Sequence, residues 1–214
     1  MVQRLGLVDY DSGLAIQKKT EAAVKSGLQP DTLLLLEHPH TLTIGRRGDS
    51  SSVLLTEEQL KSRNVTLFET NRGGKVTYHG LGQVVGYPII NLSPDREDVH
   101  RYVRDLEEVL IRTMPDFGID AFRIEGLTGV HTQRGKIAAI GVHISRWVTT
   151  HGFALNVNTN LSYFDLIIAC EGEPVTSMEE LLGVETDLST VEDRIMVHFS
   201  EVFSYQPYPC LSAA

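Results

Sequence analysis

The sequence predicts a mixed α/β (α+β) fold in one domain spanning residues 1–214, and three observations carry that expectation. Short apolar runs with strand character mix with helical periodicities, without the regular βαβ alternation of a doubly wound sheet. At 214 residues, 42% hydrophobic and 22% charged, the chain can bury one substantial core, and no linker divides it. Its longest amphipathic stripe, Val99, Tyr102, Val103, Leu106, Val109 and Leu110, needs a broad apolar surface to cover.

In chain order, a first helix runs from about Ser12 to Lys25 and stops at Gly27. Thr32 to Glu37 is a buried strand closed by His38-Pro39, and Thr41 to Ile44 is the next. A short helix follows Thr56-Glu57-Glu58. Strand patterns appear in Val76-Thr77-Tyr78-His79 and again from Val84 to Ile90. The striped helix takes Ser93 as N-cap with Pro94 in its first turn, and Gly118 ends it. Strands are expected over Gly129–Thr132, Lys136–Ile144 and Gly152–Val157, and the apolar run Leu166 to Ala169 also has strand character. Two capping boxes, Ser177 with Glu180 and Ser189 with Glu192, open two further helices. The last carries Ile195, Met196, Phe199, Val202 and Phe203 on one face; residues 206–214 are expected to be a loosely ordered tail.

A formal net charge of −9 argues against general nucleic-acid binding, and the run Leu33 to Leu36 is far too short to cross a membrane. The two cysteines, Cys170 and Cys210, sit in dissimilar settings, which fits a reducing, cytoplasmic compartment better than a disulfide. The histidines His38, His40, His131 and His143 lack metal-ligand spacing, and no Walker A or Rossmann loop is present.

The densest chemical signal is Arg72-Gly73-Gly74-Lys75-Val76-Thr77-Tyr78-His79-Gly80-Leu81-Gly82-Gln83. Glycines at this density mark sharp turns or close approach of a ligand to the main chain. Strand alternation puts Thr77 and His79 on one face and Val76 and Tyr78 on the other. Cys170 stands where an apolar run meets Glu171-Gly172-Glu173, a position that suits either a nucleophile or a buried structural thiol. Lys136 begins an apolar strand; it is a solvated strand end or, beside a thiol, a charge that favours thiolate. The small residues in His151-Gly152-Phe153-Ala154-Leu155-Asn156 either leave room for an alkyl chain or let another backbone pack closely.

Together with Glu37-His38-Pro39, Gly45-Arg46, Tyr87-Pro88, Gly129-Val130, Lys136 to Gly141 and Val175-Thr176-Ser177, these segments resemble the lipoyl/octanoyl transferase family through most of the chain. That resemblance implies a fold related to the catalytic domains of biotin and lipoate protein ligases. It also implies transfer of an octanoyl or lipoyl group from acyl carrier protein to a lysine of lipoyl domains, in lipoate biosynthesis. It matches Cys170 to the nucleophile that forms a thioester and Lys136 to the lysine that lowers the thiol's pKa. Arg72, Gly73, Gly74, Lys75, Val76, Thr77, Tyr78 and His79, with Ala139, Ile140, Gly141, Gly152, Phe153 and Ala154, match the acyl-substrate site. The implied partners are octanoyl-acyl carrier protein and the lipoyl domains of 2-oxoacid dehydrogenase complexes or glycine cleavage H protein. No cofactor is implied, since the carrier brings its own phosphopantetheine, and neither nucleic acid nor membrane is an expected partner.

Three positions depart from the family's usual pattern: Ala169-Cys170-Glu171 for Pro-Cys-Gly, Leu81 for Pro, and His131 for Trp. Glu171, if turned inward, would raise the thiol pKa and oppose Lys136. Arg46, Arg47, Arg72, Lys75 and Arg146 are expected to form a basic rim that steers acidic partners. Alternative readings are an ATP-dependent lipoate or biotin ligase, a lipoyl amide-to-amide transferase, or a non-catalytic acyl-carrier binding module.

Overall fold

The computed structural model describes residues 1–168 and 173–205. Two sheets organise it. The larger contains β1 (Val2–Leu7), β2 (Thr32–Glu37), β6 (Gln83–Ile89), β9 (Val148–Asn156), β8 (Gly135–Ser145) and β7 (Val130–Thr132), in that spatial order. Only its β1–β2 pair is parallel. The smaller sheet places β3 (Thr41–Ile44) between β4 (Thr66–Glu69) and β5 (Val76–His79).

The leucine run of β2 is buried throughout because both faces of the larger sheet are covered. Leu33 and Leu35 meet Tyr102, Leu106 and Leu110 of α3 (Val99–Thr113) and Ile195 and Phe199 of α5 (Leu188–Phe203). Leu34 and Leu36 face the opposite way, toward Ile16 and Val24 of α1 (Tyr10–Lys25). A third cluster packs Leu42, Ile44, Val76 and Tyr78 of the smaller sheet against Leu60 of α2 (Glu57–Ser62) and Leu166. No described helix is long and apolar enough to cross a membrane.

Several boundaries differ from the sequence expectation. The N-cap of α3 is Asp98, whose carboxylate accepts the Arg101 N–H, and not Ser93. Asn91 and Leu92 are still engaged with the sheet, through the Asn91–Val148 bridge and a Leu92 N–H bond to Trp147 O, so the helix cannot begin there. Likewise α5 is capped by Asp187, which accepts from Thr190 N–H, and Ser189 only donates to that carboxylate. Ser177 does cap α4 (Met178–Leu182), but Glu180 accepts from Thr176 Oγ1 and does not close a capping box. Leu161–Leu166 is a 3-10 helix, followed by a single bridge from Ile167 to Val53, in place of the expected strand. The structure adds β1 and β4, whose mostly exposed residues lack a clear alternation and so give no strand signal in the sequence.

Candidate active site

Residues of both sheets enclose a cavity of about 450 Å³. The loop into β5 and its cavity-side face contribute Arg72, Gly73, Gly74, Lys75, Val76, Thr77 and His79. β8 contributes Lys136, Ala139, Ile140 and Gly141, and β9 contributes Gly152, Phe153 and Ala154. Of the residues expected at the site, Tyr78 alone among those described stands elsewhere. Alternation turns its ring into the smaller sheet's core, stacked on Tyr163, with its hydroxyl 2.8 Å from His40 Nδ1. Cys170 and its neighbours Ala169, Glu171 and Gly172 lie outside the described residues, as does the expected tail 206–214. Ile167 and Glu173, on either side of the segment 169–172, both line the cavity.

The glycine-rich loop is fixed to both sheets. Gly73 N–H donates to Val142 O at 2.9 Å, and a Cβ built on Gly141 would sit 2.8 Å from Gly73 O. Only glycine at position 141 lets loop and strand approach this closely. Arg72 is the loop's anchor and not the rim cation expected from sequence: it is buried, and its guanidinium donates to Thr43 O, Thr43 Oγ1 and Gly73 O. Arg47 and Lys75 are exposed cations that line the cavity; Arg46 and Arg146 are exposed but do not line it. The small size of Gly152 serves close packing, since a Cβ there would lie 2.2 Å from Gly86 O and 2.6 Å from Pro88 Cδ.

Buried polar groups behind the cavity form a fixed relay. Asn156 Nδ2 donates to Thr176 O, Gln83 Nε2 donates to Asn156 Oδ1, and His79 Nδ1 therefore donates to Gln83 Oε1 at 2.8 Å. Burial, reinforced by the proximity of His38, Arg72 and His151, pushes the His79 pKa down to about 3. The ring is neutral, and its Nε2 is an acceptor on a side chain that lines the cavity. His38 donates from Nδ1 to Val8 O and accepts at Nε2 from Tyr87 OH, with its pKa lowered by burial to about 4. His151, also lowered by burial to about 4, joins the same wall, 2.8 Å from Asn71 Oδ1. Glu37 anchors the far end of the glycine-rich run by accepting Gly82 N–H at 2.8 Å.

From the sequence, Glu171 is the carboxylate that could oppose Lys136. Glu171 lies outside the described residues; among those described, the carboxylate beside Lys136 is that of Glu173, whose Oε2 is 2.7 Å from Lys136 Nζ and 3.4 Å from His131 Nε2. Burial alone would raise the Glu173 pKa, but hydrogen bonding and charge from Lys136, then His131, outweigh it and hold the carboxyl below its usual value. Tyr10 and Val103 are further cavity residues that the sequence does not reveal; both come from helix faces whose cavity contact is decided by packing. Among the described residues no cluster of three or more His, Cys, Asp or Glu is placed to hold a metal ion.

The cavity lining thus combines apolar side chains, among them Ile140, Val142, Phe153 and Ala154, with an ammonium–carboxylate pair. This suits a ligand with an aliphatic chain and a polar reacting end. The fold is similar to that of solved lipoate and biotin protein ligases. It superposes on a bi-partite lipoate protein ligase from Thermoplasma acidophilum with a TM-score of 0.74 at 18% identity, covering 95% of this chain and 84% of that one. A biotin protein ligase from Aquifex aeolicus gives 0.57 at 13% identity, covering 95% and 70%. The chain belongs to the family of lipoyl protein ligase A/B catalytic domains, whose model matches residues 9–200. It is 50% identical over 214 residues to an octanoyltransferase of Solibacter usitatus, covering 100% of this chain and 97% of that relative.

Proposed function

We propose that this chain is an octanoyltransferase that moves an octanoyl group from acyl carrier protein to a lysine of a lipoyl domain, through a thioester on Cys170. The observation that carries the reading is the cavity lining itself: apolar side chains of β8 and β9 together with Lys136, with Ile167 and Glu173 flanking the segment that holds Cys170. The whole-length similarity to an octanoyltransferase supports the same reading.

In the first step the Cys170 sulfur attacks the carrier's thioester carbonyl; the new C–S bond forms as the carrier thiolate leaves and takes up a proton. Thioester replaces thioester, so little energy is lost. In the second, the acceptor's lysine amine attacks the acyl-enzyme, an amide forms, and Cys170 leaves as thiolate. Dividing the transfer this way lets the two protein partners bind in turn. Lys136 is assigned to favour the thiolate and to exchange protons with the attacking and leaving groups. The chemistry uses no ATP and no metal.

Intact-mass analysis after incubation with octanoyl-acyl carrier protein tests this. Wild type is expected to carry a hydroxylamine-labile octanoyl adduct, Cys170→Ser none, and Lys136→Ala far less. ATP-dependent modification of a lipoyl domain by free lipoate, with no adduct on Cys170, would instead make the chain a ligase.

A further inference from the structure

Three buried side chains that line the cavity carry polar atoms with no protein partner among the described residues. Tyr10 opens α1, His79 ends β5 and His151 stands within β9; they are 3%, 6% and 4% exposed. His79 Nδ1 donates to Gln83 Oε1 and His151 Nε2 donates to Asn71 Oδ1, so in these neutral rings His79 Nε2 and His151 Nδ1 are bare acceptors. The Tyr10 hydroxyl is the third such group. The fully enclosed side-chain atoms without partners belong to Gln17, Tyr102, His131 and Thr186, so none of these three is sealed in protein; each opens to the cavity that its side chain lines. His151 holds its place with a left-handed backbone, φ 57°, and its N–H donates to Gln17 Oε1 at 2.7 Å. Such a conformation is costly for a residue other than glycine and is concentrated at ligand sites.

The three groups belong to one cluster of rings. Tyr10 stacks on His79 with centroids 5.9 Å apart, and His151 meets Tyr87 edge-on at 6.3 Å. His38 joins the two halves, 5.0 Å from Tyr10 and 5.9 Å from Tyr87. His38 and Tyr87 satisfy each other through the 2.7 Å bond between Tyr87 OH and His38 Nε2. That leaves Tyr10, His79 and His151 with hydrogen-bonding capacity for a ligand. The cluster stands at the Gly141–Val142 end of the cavity-lining part of β8, because His151 pairs with Val142 in the ladder and Arg72, whose charge acts on all three groups, packs against Gly141. Lys136 is at the start of the same strand, roughly 16 Å from Gly141 at a rise of about 3.3 Å per residue. Ala139 and Ile140 line the cavity between them.

A methyl terminus pressed against this cluster would strip water from three polar atoms and return no hydrogen bond. A hydroxyl in the same place donates to an imidazole nitrogen and accepts from Tyr10. We propose that Tyr10, His79 and His151 form a tail subsite that accepts a hydroxyl at the far end of an aliphatic acyl chain, so that the cavity takes ω-hydroxyacyl groups as well as a plain octanoyl chain. The inference rests on the reading of this cavity as the acyl site with the reacting end at Lys136. It makes the hydrogen-bonding capacity of the tail, and not its length alone, a determinant of which chain is bound.

The test is calorimetric titration of the full chain with the N-methyl amides of hexanoic, octanoic and decanoic acid and of their ω-hydroxy counterparts. These are uncharged mimics of the acyl group, and their binding needs no turnover. At one chain length or more the hydroxylated amide is expected to bind no worse than about threefold more weakly than the plain one, since a hydroxyl buried without a partner costs more than that. Tyr10→Phe removes an oxygen that no protein group bonds, and is expected to weaken the hydroxylated amide of that length at least about threefold more than the plain one. His79→Phe is expected to act in the same direction; thermal melts identify folded variants, and if His79→Phe does not fold, Tyr10→Phe decides alone. A hydroxyl that weakens binding by more than this margin at every length overturns the proposal, as does a smaller change of the ratio in Tyr10→Phe. Plain amides that bind while hydroxylated ones are rejected leave the acyl reading of the cavity standing. If no plain amide binds, that reading falls and the tail subsite with it.

Discussion

Arg72 reaches across the floor of the cavity to Thr43, donating from Nη2 to the carbonyl oxygen at 2.6 Å and to Oγ1 at 2.8 Å, with Nε 3.1 Å from the same hydroxyl. The cation that begins the glycine-rich run thus braces that run against β3. Its removal leaves a buried carbonyl and hydroxyl without these donors. Arg72→Ala is expected to lower stability by about 2–4 kcal/mol in urea titration, given roughly 1.5–3 kcal/mol for hydrogen bonds to a charged group. The salt dependence of the transfer rate should survive this substitution in whatever fraction stays folded. It should flatten in Arg47→Ala and Lys75→Ala, whose side chains are exposed at the cavity. A salt slope untouched by both of those variants would rule out steering by this rim.

The three buried histidines give the protein a predictable acid sensitivity. His38, His79 and His151 are held neutral by burial, with pKa values of about 4, 3 and 4 against 6.5 for an exposed ring. Below pH 6.5 the unfolded chain takes up protons that the native state refuses, so stability is full above that value and falls as the pH drops toward 4. Each histidine is expected to cost about 1 kcal/mol between pH 7.5 and 5.5, since a tenfold difference in proton affinity between native and unfolded states is worth about 1.4 kcal/mol. Urea midpoints measured at the two pH values check this. Equal stability at both would show that the rings are not neutral because of burial.

Two glycines that face each other in the β8–β9 ladder should respond differently to one methyl group. Gly152→Ala meets backbone on β6 at 2.2 Å, inside a sheet that cannot move aside, and is expected to cost about 3 kcal/mol or more by overpacking. Gly141→Ala meets Gly73 O at 2.8 Å and the Arg72 side chain at 3.3 Å, so the strain falls on the cavity loop. There the loss should appear mainly as a higher KM for the acyl donor. Equal melting temperatures for the two variants would contradict this division.

Glu107 is fully buried, and its carboxylate accepts from Arg104, Arg123 and the Gly129 N–H. Gly129 in turn lies against the Lys136 stem, where a built Cβ would come within 3.3 Å of Cε. Glu107→Ala strands the Gly129 N–H and is expected to cost about 2–4 kcal/mol, while Glu107→Gln keeps an acceptor and should lose roughly half as much. Denaturation of the two variants side by side decides it; a Gln variant no more stable than the Ala variant would refute the role given to Gly129.

Much of this architecture is legible in the chain. The buried leucines of β2, the stripe of α3 and the face of α5 follow from periodicity, and the alternation in Val76 to His79 separates Thr77 and His79 from Tyr78, although Val76 also reaches the cavity. That same alternation excludes Tyr78 from the cavity, although the continuous motif around it points there. The caps of α3 and α5 escape the sequence because Ser93 and Ser189 are good capping residues in isolation. Asn91 and Leu92 are held by the strand at Trp147 and Val148, a partner more than fifty residues away in sequence, and nothing local signals it.

By itself, then, the sequence determined the family, most of the elements and much of the cavity's lining, because each is written in local order: motif, spacing and period. What only the tertiary structure decided is which charges meet. Arg72 reads as a rim cation until Thr43 is seen to cap it, and Glu173 reads as one acid in a polar loop until β7 and β8 bring His131 and Lys136 to it. Coulomb and hydrogen-bond energies depend on distances of a few ångströms between residues remote in the chain, and spacing along a sequence does not encode those distances.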